Sequence, residues 1–273
     1  MQKRGMKHLF LSMGVSLAGV MGWASCSAVP EASQRTDAMQ CEVLHGVPKM
    51  IRTASYPAHS SAGEWFKDTM VGEVPVLIYT FDEQGNLLTE ETTLSDSLPT
   101  SVLKYAYVAG TRCKEAAVGT LDTMVMIRIR YNYNQNQQLV GLEYTQTEEG
   151  SGREEYELNR KGYPVEVRQY RDNGILTCRI EKKYNRAGQM TQEKIFMYLD
   201  EGEKPVCTVR YYTYQGNGLA ATLTEQHEWP TPKETRTAYT YEYDAHGNWI
   251  RRVEYNETLK TAWLTERHIE YYQ

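Results

Sequence analysis

Apolar and polar side chains alternate along most of the chain after residue 40. Tyr239 and Tyr241 fall on one face of a predicted strand and Thr240 falls on the other, and residues 125–133 repeat the pattern. No stretch of about 12 residues after the first 26 has a helical period that lacks a strand interpretation. The pattern therefore predicts an all-β chain of about 15 strands between residues 47 and 272.

A short turn motif recurs along the same region: an aromatic residue, Asp or Asn, two variable residues, then Gly. The copies end at residues 85, 110, 137, 162, 188, 218 and 247, which gives a period of about 26 residues. The Asp or Asn side chain can accept hydrogen bonds from backbone N–H groups further along the turn, and Gly supplies the positive φ that returns the chain to the ladder. Gln137 occupies one Gly position and predicts a strained or differently shaped turn. The clearest copies give the turn residues Asp82, Gly85, Asn159, Gly162, Asn185, Gly188, Asp244 and Gly247.

One repeat of this length holds two strands and two turns, so the expected fold is an antiparallel meander of repeated β-hairpins. Its apolar face must be buried, because burial stabilises by about 25 cal/mol per Å². Open sheets this wide curl or split. We therefore expect residues 41–273 to form a single domain rolled into a spiral, an open barrel or a sandwich. Arg, Glu and Lys on the second face of many strands disfavour an outer-membrane barrel.

The first residues have the features of an export signal. Three basic residues precede an apolar run from residue 9 to residue 23, and small residues lead to Cys26. The end of the run resembles the lipobox of bacterial lipoproteins, which implies a signal peptide over residues 1–25 and a lipid on the sulfur of Cys26. The alternative is cleavage near Ala28, which would release an unanchored protein. Residues 26–40 are polar and aperiodic and predict a flexible tether.

Removal of the signal peptide changes the charge balance. The 30 basic residues lose three, leaving 27 against 35 acidic residues and a net charge of −8. A chain this acidic is a poor partner for nucleic acid. The negative net charge also argues against attraction to anionic lipid headgroups, so we expect acyl chains to anchor the protein.

Tyr supplies 21 of the aromatic residues, against 4 Phe and 5 Trp, and Tyr suits half-buried strands.

The repeat resembles the YD repeats of Rhs-type proteins. The segment Tyr243-Asp244-Ala-His-Gly247 and the closing Tyr271-Tyr272 are similar to small Bacteroidota-type lipoproteins with such repeats. The resemblance covers roughly residues 74–272 and implies a curved β-sheet shell. It also implies an outer-membrane lipoprotein that faces the periplasm or the cell surface.

The sequence contains no recognised catalytic or metal motif. His227-Glu228 begins like a zinc motif, but Pro230 ends it. Glu154 and Glu155 are adjacent in a strand and predict side chains on opposite faces. We therefore expect no enzyme activity, no metal and no cofactor. The predicted function is a tethered surface that binds an envelope protein or a glycan; the alternative is a carbohydrate-handling protein with a Trp/Tyr-lined groove.

The remaining signals concern modification. Cys178 and Cys207 lie at similar points of adjacent repeats, which predicts a separation of two strands, roughly 10 Å and too far for a bridge. An even count of cysteines beyond Cys26 permits disulfides in an exported protein, and their pairing stays open. Asp followed by Ser or Thr and an apolar residue resembles an O-glycosylation motif of exported proteins in that phylum. The candidate acceptors are Thr69, Ser97 and Thr123.

Overall fold

A computed structural model of the protein describes residues 35–37, 42–68, 74–93, 101–111, 113–121, 124–147, 150–199, 204–228 and 232–273. These residues form strands joined by turns, without a helix. The strands are β1 (Arg35–Asp37), β2 (Glu42–Leu44), β3 (Pro48–Ser61), β4 (Glu64–Lys67), β5 (Val76–Phe81), β6 (Leu87–Thr93), β7 (Ser101–Tyr107), β8 (Lys114–Leu121), β9 (Met124–Tyr133), β10 (Leu139–Gln146), β11 (Gly150–Leu158), β12 (Pro164–Arg171), β13 (Leu176–Tyr184), β14 (Met190–Met197), β15 (Val206–Tyr214), β16 (Ala220–His227), β17 (Lys233–Tyr243), β18 (Trp249–Asn256) and β19 (Thr261–Tyr271).

The meander closes into a barrel. Strands β5 to β19 pair antiparallel with their sequence neighbours, and β19 returns to pair antiparallel with β3. The long β3 also pairs with β5 along one stretch and with β4 along another, so β3 and β5–β19 make a ring of 16 strands. The predicted all-β meander is confirmed, and its rolled form is a closed barrel. Strands β1, β2, β4 and β8 are not among those that the sequence predicts.

The registers sort the side chains into a lumen face and an outer face. The main apolar cluster, which includes Ile51, Tyr79 and Ile129, lies on the lumen face of β3 and β5–β10. Lumen-facing Lys182 and Glu193 keep only 11% exposure each. Charged residues on the outer face of β11 and β12 remain mostly between 39% and 63% exposed. A 16-strand ring can be wide enough for an aqueous channel, but Ile51, Leu142 and Thr265 on the lumen face are only 0–1% exposed.

Seven short turns share one end of the barrel, which we call the turn rim. In six of them the first residue exchanges backbone hydrogen bonds with the fourth and fifth residues, as in a type I turn followed by a bulge. Gln137 takes φ 58° in a turn bonded like the others, so it is strained rather than differently shaped. The turn at Gly110 is wider, because the Val108 N–H donates to the Cys113 carbonyl. The fourth residues of the six regular turns are Gly85, Gln137, Gly162, Gly188, Gly218 and Gly247, with φ from 58° to 90°.

Tyrosine hydroxyls tie neighbouring hairpins together near this rim. A Tyr close to the end of one strand donates its hydroxyl to a backbone carbonyl near the turn of the preceding hairpin. Four such pairs are Tyr107 with Leu87, Tyr184 with Pro164, Tyr214 with Met190 and Tyr241 with Ala220, at 2.5–3.1 Å. Tyr272 makes the equivalent bond across the closure, to the Phe81 carbonyl at 2.7 Å.

The closure itself is held by Asn248, the fifth residue of the last turn. Its side-chain oxygen accepts the His45 N–H at 2.8 Å, and its amide nitrogen donates to the His45 carbonyl at 2.8 Å. The same nitrogen donates to the Tyr271 hydroxyl at 2.7 Å, and that hydroxyl donates to Asp244. We call these bonds the clasp. The clasp joins the last turn to the residues before β3 and to the end of β19.

The β3–β4 hairpin lies over an apolar patch of the outer face. Trp65 packs on Tyr255 with ring centroids 5.4 Å apart, and its carbonyl accepts a hydrogen bond from Arg251. Val253 and Leu264 on the outer face of β18 and β19 are buried. This explains why a short strand that the sequence does not predict is stable: its Trp side chain covers apolar surface that would otherwise face water.

The N-terminal part of the described chain also meets the barrel. Arg35–Asp37 lies within the predicted tether, yet it pairs with β2 as a strand. Leu44, which is 1% exposed, belongs to the lumen cluster. Cys113 beside the turn rim is disulfide-bonded, with its partner outside the described residues. Cys178 and Cys207 are free and buried, two strands apart as the sequence predicts.

Candidate functional site

The predicted turn residues are spread around the turn rim and do not converge on one point. Their side chains hold the turns: Asp82 accepts the Asn86 N–H at 2.7 Å, and Asn159 accepts the Lys161 N–H at 2.9 Å. The same role falls to Asn185, which accepts the Gln189 N–H at 3.1 Å, and to Asp244, which accepts the His246 N–H at 2.9 Å. Cys26 and the candidate acceptors Thr69, Ser97 and Thr123 lie outside the described residues.

The lumen brings together residues that the sequence does not single out. Lys182, Glu193, Arg210 and Glu225 lie side by side on β13 to β16, and we call them the charge row. Glu193 lies 3.7 Å from the Lys182 nitrogen and 3.3 Å from Arg210, and Arg210 donates to Glu225 at 2.6 Å. His227 lies 2.8 Å from Glu225. Burial alone would raise the pKa of Glu225, but the bond and charge of Arg210 outweigh it and lower that pKa.

Glu154 is the most buried carboxyl of the lumen. The Tyr156 hydroxyl donates to it at 2.6 Å and the Gln169 amide donates at 3.0 Å. Burial nevertheless raises the pKa of Glu154 to about 7, since the two hydrogen bonds and Lys182 offset only part of the desolvation. Neighbouring Glu155 lies on the outer face, so the two carboxyls do not converge.

A second buried group lies across the lumen on β6–β9. The Lys114 nitrogen sits 3.9 Å from the ring centre of Tyr105 and 5.9 Å from that of Tyr131. Tyr105 donates its hydroxyl to Glu90. Burial lowers the pKa of Lys114 to about 8, against the opposing charge of Glu90. The ammonium is therefore held by aromatic faces and one carboxylate.

The Trp residues do not share a groove. Trp249 is 2% exposed and lies under Arg267, whose guanidinium is 3.5 Å from the ring centre. Trp263 shares the lumen face of β19 with Arg267, near the end opposite the turn rim, and is 48% exposed. Trp65 packs outside the barrel, and residue 229 lies outside the described residues. The groove lined by several Trp that the carbohydrate alternative expects is absent from the described residues.

The lumen thus has two unlike walls. The wall of β3 and β5–β10 is mainly apolar and aromatic. The wall of β11–β16 combines the charge row with a smaller apolar cluster of Val167, Cys178 and Ile180. Within the described residues no group of three His, Cys, Asp or Glu side chains is placed to hold a metal ion. No helix of the described chain is long and apolar enough to cross a membrane.

The turn motif contains a signal that could have predicted the contacts of the charge row that lie within a single hairpin. In every regular hairpin the bulge shifts the pairing by one residue, so the third residue before the turn pairs with the fourth residue after it. Counting outward from Asn185 pairs Lys182 with Glu193, and counting outward from Gln215 pairs Arg210 with Glu225. The contact between Glu193 and Arg210 joins two hairpins, and the motif does not determine the register between hairpins.

Comparison with known proteins finds a similar barrel fold in one solved structure. No protein-family model and no curated protein matches the chain. A crystal structure of a porin-like protein from Bacteroides uniformis is similar over 82% of this chain and 96% of its own, with TM-score 0.52 and 12% identity. A TcdB2–TccC3 structure matches 79% of this chain and 11% of its own, with TM-score 0.35 and 15% identity. The first likeness shows a shared barrel architecture; the second is too weak to carry an argument.

Proposed function

We propose that this chain is an exported, lipid-anchored barrel of the cell envelope that stands in water and binds an envelope protein or a glycan without turnover. The observation that carries the proposal is the outer face of β11–β13. There Arg153 pairs with Glu155 at 3.0 Å, and Arg179 pairs with Glu181 at 3.1 Å. A basic side chain facing lipid at the bilayer midplane costs about 2–4 kcal/mol. An outer face that carries such ion pairs is suited to water rather than to lipid, so we expect the protein to associate with the membrane through its lipid anchor.

The binding role rests on the lumen. Its charged groups already have partners, so they form a fixed pattern of charge rather than a reactive centre. Catalysis needs a nucleophile, acid or base beside an open position for a reacting atom. The tyrosines of the lumen, such as Tyr212 and Tyr239, keep part of their surface exposed and offer ring faces with polar edges.

The anchor is tested by changing Cys26. In cells fed labelled palmitate, the protein should be labelled and should sediment with membranes, and Cys26→Ala should abolish both. Cys207→Ala, which removes a free cysteine of the barrel, should leave both unchanged. Label that persists in Cys26→Ala, or a parent protein that stays in the soluble fraction, would refute the anchor.

Disulfide mapping gives an independent test of the anchor. A lipid thioether occupies the sulfur of Cys26, which leaves Cys41 as the partner of Cys113. Peptide mapping without reduction should therefore find Cys41 linked to Cys113. A peptide that links Cys26 to Cys113 would exclude lipidation at that sulfur.

Binding without turnover is tested with the lipidated protein in detergent. Crosslinking in intact cells should capture an envelope partner. A screen of glycosidase, protease and esterase substrates should show no turnover above that of a heat-denatured sample. Reproducible turnover that Glu154→Gln abolishes would replace the binding proposal with an enzyme.

A glycan ligand is the second candidate, favoured by the half-exposed Trp263 on the lumen face near the end opposite the turn rim. Binding to a glycan array that Trp263→Ala abolishes and Trp65→Ala preserves would select it. Equal loss in both variants would instead reflect the barrel's stability.

A further inference from the structure

The turn rim carries an uneven distribution of charge. Arg160 and Lys161 form the exposed tip of the turn between β11 and β12, and Arg186 lies at the exposed tip of the next turn. The Lys161 nitrogen donates to the Arg186 carbonyl at 3.1 Å, so the two tips adjoin. Lys183 is exposed on the strand that leads into the second turn. These four side chains make a basic patch on a protein whose mature net charge is negative.

The rest of the turn rim is nearly uncharged at its tips. The two central residues of the other five turns are Glu83, Gln84, Ala109, Gly110, Gln135, Asn136, Gly216, Asn217, Ala245 and His246. Glu83 is the acidic residue among them, and its turn lies three turns away from Arg160 along the rim. The basic side chains at the turn tips are therefore concentrated on two adjoining turns, which the net charge of the chain conceals.

The chain also joins the barrel at this rim. The clasp fixes the His45 backbone beside the last turn, and β3 starts three residues later. Cys26 precedes β1 by nine residues, and Arg35 of β1 pairs with Leu44 beside the clasp. As a random coil, nine residues average roughly 15–18 Å end to end. Strands of eight or nine residues, tilted in a barrel, give a taller wall of roughly 20–25 Å. An anchor on this tether therefore keeps the turn rim closer to the bilayer than the opposite end.

We propose that the turn rim faces the membrane and that the basic patch of Arg160, Lys161, Lys183 and Arg186 binds anionic lipid headgroups. The proposal rests on the lipid anchor proposed above. The acyl chains hold the protein at the bilayer, and a basic surface adds an attraction that favours one orientation of the barrel. Each basic side chain at an anionic surface strengthens binding about fivefold. The opposite end of the barrel then points away from the membrane, with the partly exposed Trp263 near it.

The orientation is measured by amine labelling of the lipidated full-length protein. The protein is placed in vesicles of phosphatidylcholine alone or with phosphatidylglycerol, and labelling rates are followed by mass spectrometry. Lys161 and Lys183 should label at least fivefold more slowly on the anionic vesicles than in detergent. Lys233 and Lys260, which lie at the opposite end, should label at the same rate in both.

Two matched variants test the patch. The first carries Arg160→Gln, Lys161→Gln and Arg186→Gln and should lose the protection of Lys183. Three losses of about fivefold each predict that the preference for this orientation on anionic vesicles falls roughly 100-fold. The second removes the same charge from the opposite end through Lys204→Gln, Lys233→Gln and Lys260→Gln, and should keep both this preference and the protection.

The outcomes separate the anchor from the orientation. A protein that remains on the vesicles while Lys161 labels as fast as Lys233 overturns the orientation and leaves the anchor standing. Equal loss in the two triple variants overturns the patch. A protein that has no acyl group and does not sediment overturns the anchor, and the orientation with it.

Discussion

Replacing Asn248 by alanine should open the barrel where its two ends meet. Asn248 is 4% exposed, and its amide makes three bonds of the clasp, two to the His45 backbone and one to the Tyr271 hydroxyl. A hydrogen bond contributes about 1 kcal/mol net, and more when its loss strands a buried group. His45 itself is exposed, so water replaces part of what is lost. The expected loss in the free energy of unfolding is about 2–4 kcal/mol.

A matched control comes from the first turn. Asn86 holds the same fifth position, and its amide donates to Asp82 of its own turn at 2.8 Å. Asn86→Ala should therefore cost about 1 kcal/mol or less. Denaturant unfolding followed by circular dichroism compares the two variants.

The location of the damage gives the sharper test. In Asn248→Ala, amide hydrogen exchange should speed up first around residues 45–48 and 271–272, where β3 and β19 meet. Equal destabilisation in the two variants, or faster exchange spread evenly around the ring, would refute a clasp at this position.

Three further predictions concern the turns and the lumen. Gly247→Val should lower the free energy of unfolding by about 1–2 kcal/mol, because φ is 85° there. Gly216→Val should change it little, because that φ is not positive and nothing lies within 4 Å of the added carbon. Thermal melting curves of the two variants test the difference. Gln137→Gly should stabilise the fold by up to about 1 kcal/mol by relieving a positive φ, and a lower melting temperature would contradict this. Glu154→Gln should stabilise the fold by roughly 1–3 kcal/mol above pH 7 and should have no effect near pH 4. The reason is that a carboxyl whose folded pKa is raised to about 7 favours the folded state at low pH and loses that advantage as pH rises. A stabilisation that does not depend on pH would contradict the burial argument.

Much of the fold is predictable because the turn motif carries both chain reversal and register. A glycine at the fourth position sets the bulge, and the bulge sets which residues pair across the hairpin. The two strands of the barrel sheet that the sequence does not predict, β4 and β8, lack this support. Strand β8 follows the wide turn at Gly110, and β4 is stabilised by packing of Trp65 on Tyr255, which joins parts of the chain about 190 residues apart.

The candidate site was less accessible to sequence reasoning. Closure depends on β19 returning to β3, and local patterns do not reveal that return. The pKa of Glu154 depends on how deeply the rolled sheet buries its inner face, which an antiparallel meander alone does not determine. The basic patch was hidden for another reason: the net charge of the whole chain outweighs four side chains gathered on two adjoining turns.

The bond from Tyr272 to the Phe81 carbonyl has a consequence for how the protein reaches its native state. Until β19 has emerged and met β3, the chain is an open ribbon with two unpaired strand edges, and such edges invite pairing with other chains. The final contacts join residues more than 200 positions apart, and contacts this distant form slowly. Strand β19 thus decides whether hairpins already formed become a barrel, and a truncation of β19 should leave a chain that assembles locally and aggregates.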